Sequence, residues 1–381
     1  MSRLRVLHLV EATTAGVRRY VTTLVHGLAD ECCADVVCPP IREAHFGDTA
    51  FVADMRRAGI AVHGVPLRRS IGWADAPAYR AVARVIRTGR YDLIHTHSSK
   101  AGFLGRLAAR HFGVPAVHTP NGLYFLEQAG AGRRLFLALE QLAGRWAARL
   151  IAVSEGERTV MLDHRLAVPD RIVLIENGVD ARRVRAEAES GHAQEGAPPG
   201  GSPLVGGAGR MVPQKDPLTF VKMAQRVASA RPGARFVWYG DGELRPSVEA
   251  LARESGVRLT VTGHLENVWA AMKCLDVFVL PSLYEGLPFT LLEAMALGVP
   301  VVATDVIGTR DVLRDGSAGW LVPARDPQAM AEAVQAVLTR PGLADGRVEA
   351  ARRLVETRYS VERMLAAHRE LYADVLGARR A

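Results

Sequence analysis

Short, mostly apolar runs punctuate this 381-residue chain, and between them apolar residues recur at helical spacing. Val6–Val10, Val36–Pro39, Ile60–Val65, Leu150–Ser154, Phe236–Tyr239, Leu259–Gly263 and Val277–Pro281 each have the length and composition of a buried strand. Val21, Leu24, Val25 and Leu28 fall on one face of a helix, as do Ala81, Val82, Val85 and Ile86 within 78–90. Strand, glycine turn at Gly16, then helix is the opening unit of a doubly wound sheet. The same order restarts at Leu204-Val205, turns at Gly209 and enters a helix through Phe220–Ala230. Residues 186–203 are polar, rich in Gly and Pro and without period, which predicts a loop or linker. The expected organisation is a first α/β domain over 1–181, a linker over 182–203, a second α/β domain over 204–360 and a terminal helix over 361–381.

The densest chemistry lies in 277–303. The strand Val277–Pro281 leads through Glu285-Gly286-Leu287 into a helix begun by Pro288, at a position where the missing N–H is no loss. That helix carries Leu291, Leu292, Met295 and Leu297, stops at Gly298, and is followed by the strand Val299–Ala303. A helix N-terminus offers free N–H groups and the positive end of the dipole, so an anion such as phosphate suits it. Glu285 sits just before that end and Glu293 about a turn and a half inside it. A carboxylate accepts two hydrogen bonds from vicinal hydroxyls, as sugars and riboses present them. Phosphate between two hydroxyl-rich groups describes a nucleotide sugar, although two glutamates eight apart also fit a solvated helix face.

The full string E-G-L-P-F-T-L-L-E-A-M-A-L-G-V-P-V-V-A-T resembles the E-x7-E motif of retaining glycosyltransferases of family 4. These have the GT-B fold, two Rossmann-like domains facing each other across a cleft. The resemblance implies transfer of a hexosyl unit from a UDP- or GDP-linked sugar to a hydroxyl, with retention at the anomeric carbon. Glu285 would contact donor-sugar hydroxyls, Glu293 the ribose, and the backbone of Gly286, Leu287 and Pro288 the pyrophosphate. The loop from Gly209-Arg210 to Lys215 is similar to the family loop that holds the donor diphosphate, and there Arg210 and Lys215 would stabilise charge growing on the leaving group. With no D-x-D motif, protein cations stand in place of a metal, and no cofactor is implied. His264 and Leu265 would line the base pocket through their backbone, and Gly16 retains one glycine where relatives have two or more beside the donor phosphate. The string IHTHSSKAGFLGRLAAR resembles surface-polysaccharide members of the family. It places His118 at the donor sugar and His97, Lys100 and Asn121 on the acceptor side, Asn121 standing where relatives often have His. The terminal helix would cross back onto the first domain.

Two motifs invite metal readings. His95-x-His97 has no third histidine or carboxylate nearby at useful spacing, and Asp241-x-Glu243, flanked by glycine, is turn chemistry. No metal is expected. The four cysteines show no paired spacing and are expected as buried thiols.

Net charge is +8, and residues 1–180 hold 23 Lys/Arg against 17 Asp/Glu, which favours an anionic partner. Arg80, Arg84 and Arg87 share one helix face, with Arg90 close behind and Arg68, Arg69 and Trp73 ahead. They fit either a solvated face or a surface for anionic lipid. No signal peptide or membrane-spanning run is evident, so a cytoplasmic enzyme, peripheral at the inner face of the membrane and acting on a lipid-linked acceptor, is expected. A soluble acceptor, or a GT-B sugar phosphorylase or epimerase, is the alternative. The missing G-x-G-x-x-G disfavours a nicotinamide oxidoreductase, and the lack of a basic motif interleaved with aromatics disfavours nucleic-acid binding.

Overall fold

The structure, a computed structural model, describes residues 3–40, 49–67, 72–73, 75–190, 202–265, 267–313 and 316–380. The chain divides into two compact units, Met1–Glu176 with Met364–Ala381, and Asn177–Arg363. The division falls a few residues from the boundaries expected at 181 and 360.

In the first unit the elements run β1 (Leu4–Val10), α1 (Ala15–Gly27), β2 (Cys32–Cys38), α2 (Thr49–Arg57), β3 (Ala61–Gly64), α3 (Asp75–Gly89), β4 (Leu93–His97), α4 (Ser99–Phe112), β5 (Ala116–Thr119), α5 (Gly130–Gly144), β6 (Arg149–Ala152), α6 (Glu155–Asp163) and β7 (Ile172–Leu174). Its seven strands are all parallel, in the order β3-β2-β1-β4-β5-β6-β7. The second unit holds α7 (Ala181–Ser190), β8 (Leu204–Ala208), α8 (Pro217–Ala230), β9 (Arg235–Tyr239), α9 (Arg245–Glu254), β10 (Leu259–Gly263), α10 (Val268–Met272), β11 (Val277–Leu280), α11 (Phe289–Leu297), β12 (Val301–Thr304), α12 (Ile307–Leu313), β13 (Trp320–Val322), α13 (Pro327–Thr339) and α14 (Pro341–Thr357). Its six parallel strands run β10-β9-β8-β11-β12-β13. A last helix, α15 (Val361–Arg380), ends the chain.

The two sheets repeat one topology. In each, the first strand lies beside the fourth, and the chain leaves these two strands in opposite directions, so a crevice opens at their C-terminal ends. Central strands such as β8 and β11 are buried at every residue, which is why they read as unbroken apolar runs rather than alternating ones.

Several elements escaped the sequence. Residues 181–190, mostly assigned to the linker, form α7, with Ala181, Val184 and Ala188 buried at helical spacing. The high charge of ARRVRAEAES hid that stripe; the adjoining 191–201 lie outside the described residues. The helices α5, α6 and α10 were likewise not anticipated. At the start of α1 the left-handed position is Ala15 (φ 53°), and Gly16 lies within the helix rather than making the turn. Cys32 and Cys38 are buried as expected, but Cys33 and Cys274 are exposed. The break between α14 and α15 falls at Tyr359-Ser360, where Val179 N–H donates to Tyr359 O (2.9 Å) and Val361 N–H to Val179 O (3.2 Å).

Candidate functional site

In the second unit, the loops leaving β8 and β11 are bolted together at the crevice. Gln214 does this twice: its carbonyl accepts from Leu283 N–H (2.8 Å), and its Nε2 donates to Tyr284 O (3.1 Å). Lys215 Nζ donates to Glu285 Oε1 at 2.5 Å, and Ser282 Oγ donates to the same oxygen at 2.6 Å. Both members of this ion pair are largely buried, with side chains 15% and 7% exposed. All of Glu285's side-chain bonds fall on Oε1, which leaves Oε2 for a ligand hydroxyl.

Three backbone carbonyls of the second loop are held by hydrogen bonds. Tyr284 O takes Gln214, Glu285 O takes Gly308 N–H (3.3 Å), and Leu287 O takes Asn177 Nδ2 (2.8 Å). In a trans peptide C=O and N–H point oppositely, so holding the carbonyls of Tyr284 and Glu285 aims the N–H groups of Glu285 and Gly286 the other way. Among the described residues no hydrogen bond takes the N–H groups of Gly286, Leu287, Phe289 or Thr290, and Thr290 Oγ1 is buried without a partner. Pro288 is the N-cap of α11, so these donors gather at a helix N-terminus. Such a set of N–H groups beside a lysine is built for an anion. Gly308 is required here, since a Cβ would stand 2.2 Å from Gly286 O.

The other expected residues of this unit are placed as follows. Gly209 (φ 143°) turns the chain after β8, and the Lys215 side chain lies over it. Arg210, half-buried, is next in the same loop. Glu293 is buried within α11. His264 is exposed and Leu265 half-buried after β10. Asp241 is spent on its turn, accepting from Gly242 N–H (2.8 Å) and pairing with Arg245 (2.9 Å).

In the first unit the equivalent crevice is lined by neutral histidines. His118, at the end of β5, is buried, with Nδ1 2.9 Å from Thr96 Oγ1 and 3.1 Å from Thr96 O. A carbonyl can only accept, so Nδ1 carries the hydrogen and Nε2, which has no protein partner, is an acceptor. Burial, then the nearby Arg106 guanidinium, hold its pKa well below the ordinary histidine value, so the ring is neutral.

A third histidine does stand beside His95 and His97, contrary to the sequence expectation: His8 on β1, with ring nitrogens of all three within 4.8 Å of one another. Strand pairing brings it there, His8 opposite His95. The bonds nevertheless occupy His95 completely. His368 Nδ1 donates to Met364 O (2.7 Å), so its Nε2 accepts from Tyr20 O–H (2.8 Å). Tyr20 oxygen then accepts from Thr119 O–H (3.2 Å), Thr119 from His95 Nε2–H (2.8 Å), and His95 Nδ1 from Tyr372 O–H (2.7 Å). With both His95 nitrogens engaged, the cluster is a hydrogen-bond chain rather than a ligand set that fits a metal.

His97 is fully buried against His8, and its Nδ1 has no partner. Lys100 opens α4 and pairs with Asp75 (2.6 Å), while Glu11 accepts its N–H (3.2 Å). Asn121 (φ 54°) donates to Thr119 O (3.2 Å). Sequence reasoning passed over Glu11, Gln214 and Asn177, and also Glu157, whose carboxylate accepts from Gly122 N–H (3.1 Å) and Val153 N–H (2.8 Å). Burial pushes the Glu157 pKa up to about 7. The spacing Ser154-x-x-Glu157, a capping-box pattern, was its available signal.

Comparison with known proteins adds the following. The model for "Glycosyl transferases group 1" matches residues 202–340, and that for "Glycosyl transferase 4-like domain" matches 15–178. Escherichia coli UDP-Gal:alpha-D-GlcNAc-diphosphoundecaprenol alpha-1,3-galactosyltransferase is 31% identical over 261 residues, 66% of this chain and 67% of that protein. The alpha-maltose-1-phosphate synthase of Mycolicibacterium smegmatis is 31% identical over 351 residues, 84% of this chain and 86% of that one. The D-inositol 3-phosphate glycosyltransferase of Geodermatophilus obscurus is 31% identical over 278 residues, 66% of this chain and 60% of that protein. Among solved structures, Anabaena HepE in complex with UDP-glucose superposes with a TM-score of 0.80 at 19% identity, covering 99% of this chain and 100% of that one.

Proposed function

Since this chain belongs to the group 1 glycosyltransferases, the retaining enzymes of family 4 with the GT-B fold, we propose that it transfers a hexosyl unit from a UDP-linked sugar to a lipid-linked acceptor hydroxyl in surface-polysaccharide synthesis. The observation that carries the reading is the set of free N–H groups at the start of α11 with Lys215 held beside them by Glu285. The UDP and lipid-linked parts are supported by the names of the relatives just described.

The donor diphosphate is bound by the N–H groups of Gly286, Leu287, Phe289 and Thr290, with Lys215 and Arg210 opposing the charge that grows as the glycosidic bond breaks. These donors are fixed before the substrate arrives, so little reorganisation accompanies bond cleavage. Glu285 has its Oε1 occupied by Lys215 and Ser282 and offers Oε2 to a sugar hydroxyl, while Glu293 meets the ribose. His118 offers Nε2 as acceptor for a hydroxyl of the sugar. A carboxylate tied up in this way is no nucleophile toward the anomeric carbon, so attack occurs on the face the diphosphate leaves. His97, Lys100 and Asn121 belong to the acceptor side.

Among the described residues no helix is long and apolar enough to cross a membrane. Arg80, Arg84, Arg87 and Arg90 are exposed on and just after α3, and Trp73 ahead of them is 99% exposed; Arg68 and Arg69 lie outside the described residues. This basic face supports peripheral association with anionic lipid at the inner membrane.

The test is a screen of UDP- and GDP-hexoses with lipid-linked and soluble acceptors, read by product mass and anomeric configuration. The reading expects UDP release with retention on a lipid-linked acceptor. Turnover only with free phosphate would indicate a phosphorylase instead.

A further inference from the structure

The helices α3, α4 and α5 form one layer on the first unit's sheet, α3 packing on α4 and α4 on α5. Their only acids are Asp75 and Glu140, and both are bound by buried cations, Lys100 at 2.6 Å and Arg106 at 2.7 Å. Arg80, Arg84 and Arg87 on α3, Arg110 on α4, and Arg133 and Arg134 on α5 are all exposed, so the outward side of the layer carries cations without acids from the same helices. That leaves a net positive field over this side.

Within the layer α5 differs from its neighbours. Phe136, Leu137 and Glu140 face inward, where Phe136 and Leu137 pack against a core of Leu123, Phe125 and Met161. Opposite them, Ala131, Leu135, Ala138 and Leu142 recur at i, i+4, i+7 and i+11 and are all exposed, Leu135 to 53% and Leu142 to 41%. At helical spacing Arg134 and Arg145 run along one edge of this stripe, and no carboxylate pairs with either among the described residues. Just beyond α5, Trp146 lies under the Arg110 guanidinium, 5.9 Å from its ring centroid. An exposed leucine stripe edged by arginines, with a tryptophan at one end, matches the boundary between acyl chains and anionic headgroups.

We infer that α5 is the membrane-inserting element of this enzyme: its Leu135/Leu142 stripe enters an anionic bilayer while Arg110, Arg134 and Arg145 meet the headgroups. This rests on the peripheral-membrane reading above and goes beyond it, because α3 presents charge alone whereas α5 adds apolar area that salt does not screen. The apolar contribution predicts binding that survives in part at high salt.

The experiment is co-sedimentation of the full chain with phosphatidylglycerol or phosphatidylcholine vesicles at low and high salt. It compares wild type, Leu135→Ser/Leu142→Ser, and Arg80→Gln/Arg84→Gln/Arg87→Gln. Both leucines are exposed, so the fold should hold, and an unchanged melting temperature checks this. We expect the leucine variant to lose phosphatidylglycerol binding about ten-fold, with the residual high-salt binding abolished. The arginine variant should keep that residue. Equal binding by the leucine variant and wild type would overturn the role of α5 while leaving peripheral association standing. Failure of the wild type to bind would overturn both. Self-association in solution that the leucine change abolishes, with vesicle binding intact, would make the stripe a protein contact and overturn the proposal.

Discussion

The two sheets share a strand order, and each opens a crevice where its first and fourth strands part, yet the crevices are furnished oppositely. At β8/β11 there are a lysine, an arginine, a carboxylate and main-chain N–H groups without partners. At β1/β4 and the adjoining β5 there are His8, His95, His97 and His118, buried and neutral, joined largely to one another and to hydroxyls. Topology supplies a crevice, and side chains decide what it holds. Fixed positive charge suits a diphosphate, whereas neutral acceptors in a dry wall suit hydroxyl groups.

The largest effect expected from breaking this contrast is at the charged crevice. Lys215→Ala should lower kcat about 10²-fold or more, the scale of losing one charge-stabilising donor. It would also leave Glu285 largely buried and unpaired, so UDP binding and melting temperature should be measured beside turnover. Glu285→Gln is next. It should hurt transfer more than UDP binding, whereas Glu293→Gln should weaken both, because ribose is present in each ligand. Equal loss of UDP affinity in the two variants would contradict their division of labour.

Gln214→Met keeps the side-chain length but removes the donor to Tyr284 O. If that bond positions the anion-binding N–H groups, kcat should fall about ten-fold, with KM and melting temperature moved little. A fall in melting temperature with unchanged kcat would make the bond merely structural.

Acid should separate the two sheets. Burial lowers the pKa of His8 to about 3 and of His368 to about 4, and holds His95, His97 and His118 well below the ordinary 6.5. A depressed histidine contributes stability that is present above its unfolded pKa and lost as pH falls toward its folded value. Glu157, raised to about 7, runs the other way, its contribution present below 4.5 and lost as pH rises through 7, but it is one group against five. Hydrogen exchange between pH 7 and pH 4 should therefore show β1, β4 and β5 losing protection before β8 and β11. The smallest effect expected is that of EDTA, which should leave activity unchanged. Loss that Zn²⁺ restores would mean that His8, His95 and His97 bind metal despite the bonds His95 makes.

Most of the strands were legible because buried parallel strands are largely apolar runs, and the loops that carry Lys215 and Glu285 because Gly209–Lys215 and E-x7-E are local patterns. What escaped was non-local or masked by charge. Gln214 and Asn177 act by reaching main-chain carbonyls 70 and 110 residues away, contacts no spacing announces. His8 meets His95 and His97 only through strand pairing. The helix α7 carries enough charge that its periodic residues read as linker.

The central claim is that the loops of β8 and β11 hold the leaving diphosphate, and titration calorimetry of UDP into wild type, Lys215→Ala and His118→Ala tests it most directly. The account predicts tight UDP binding by wild type, at least about ten-fold weaker binding by Lys215→Ala, and nearly unchanged binding by His118→Ala. Unchanged UDP affinity in Lys215→Ala, with the loss falling on His118→Ala instead, would contradict it.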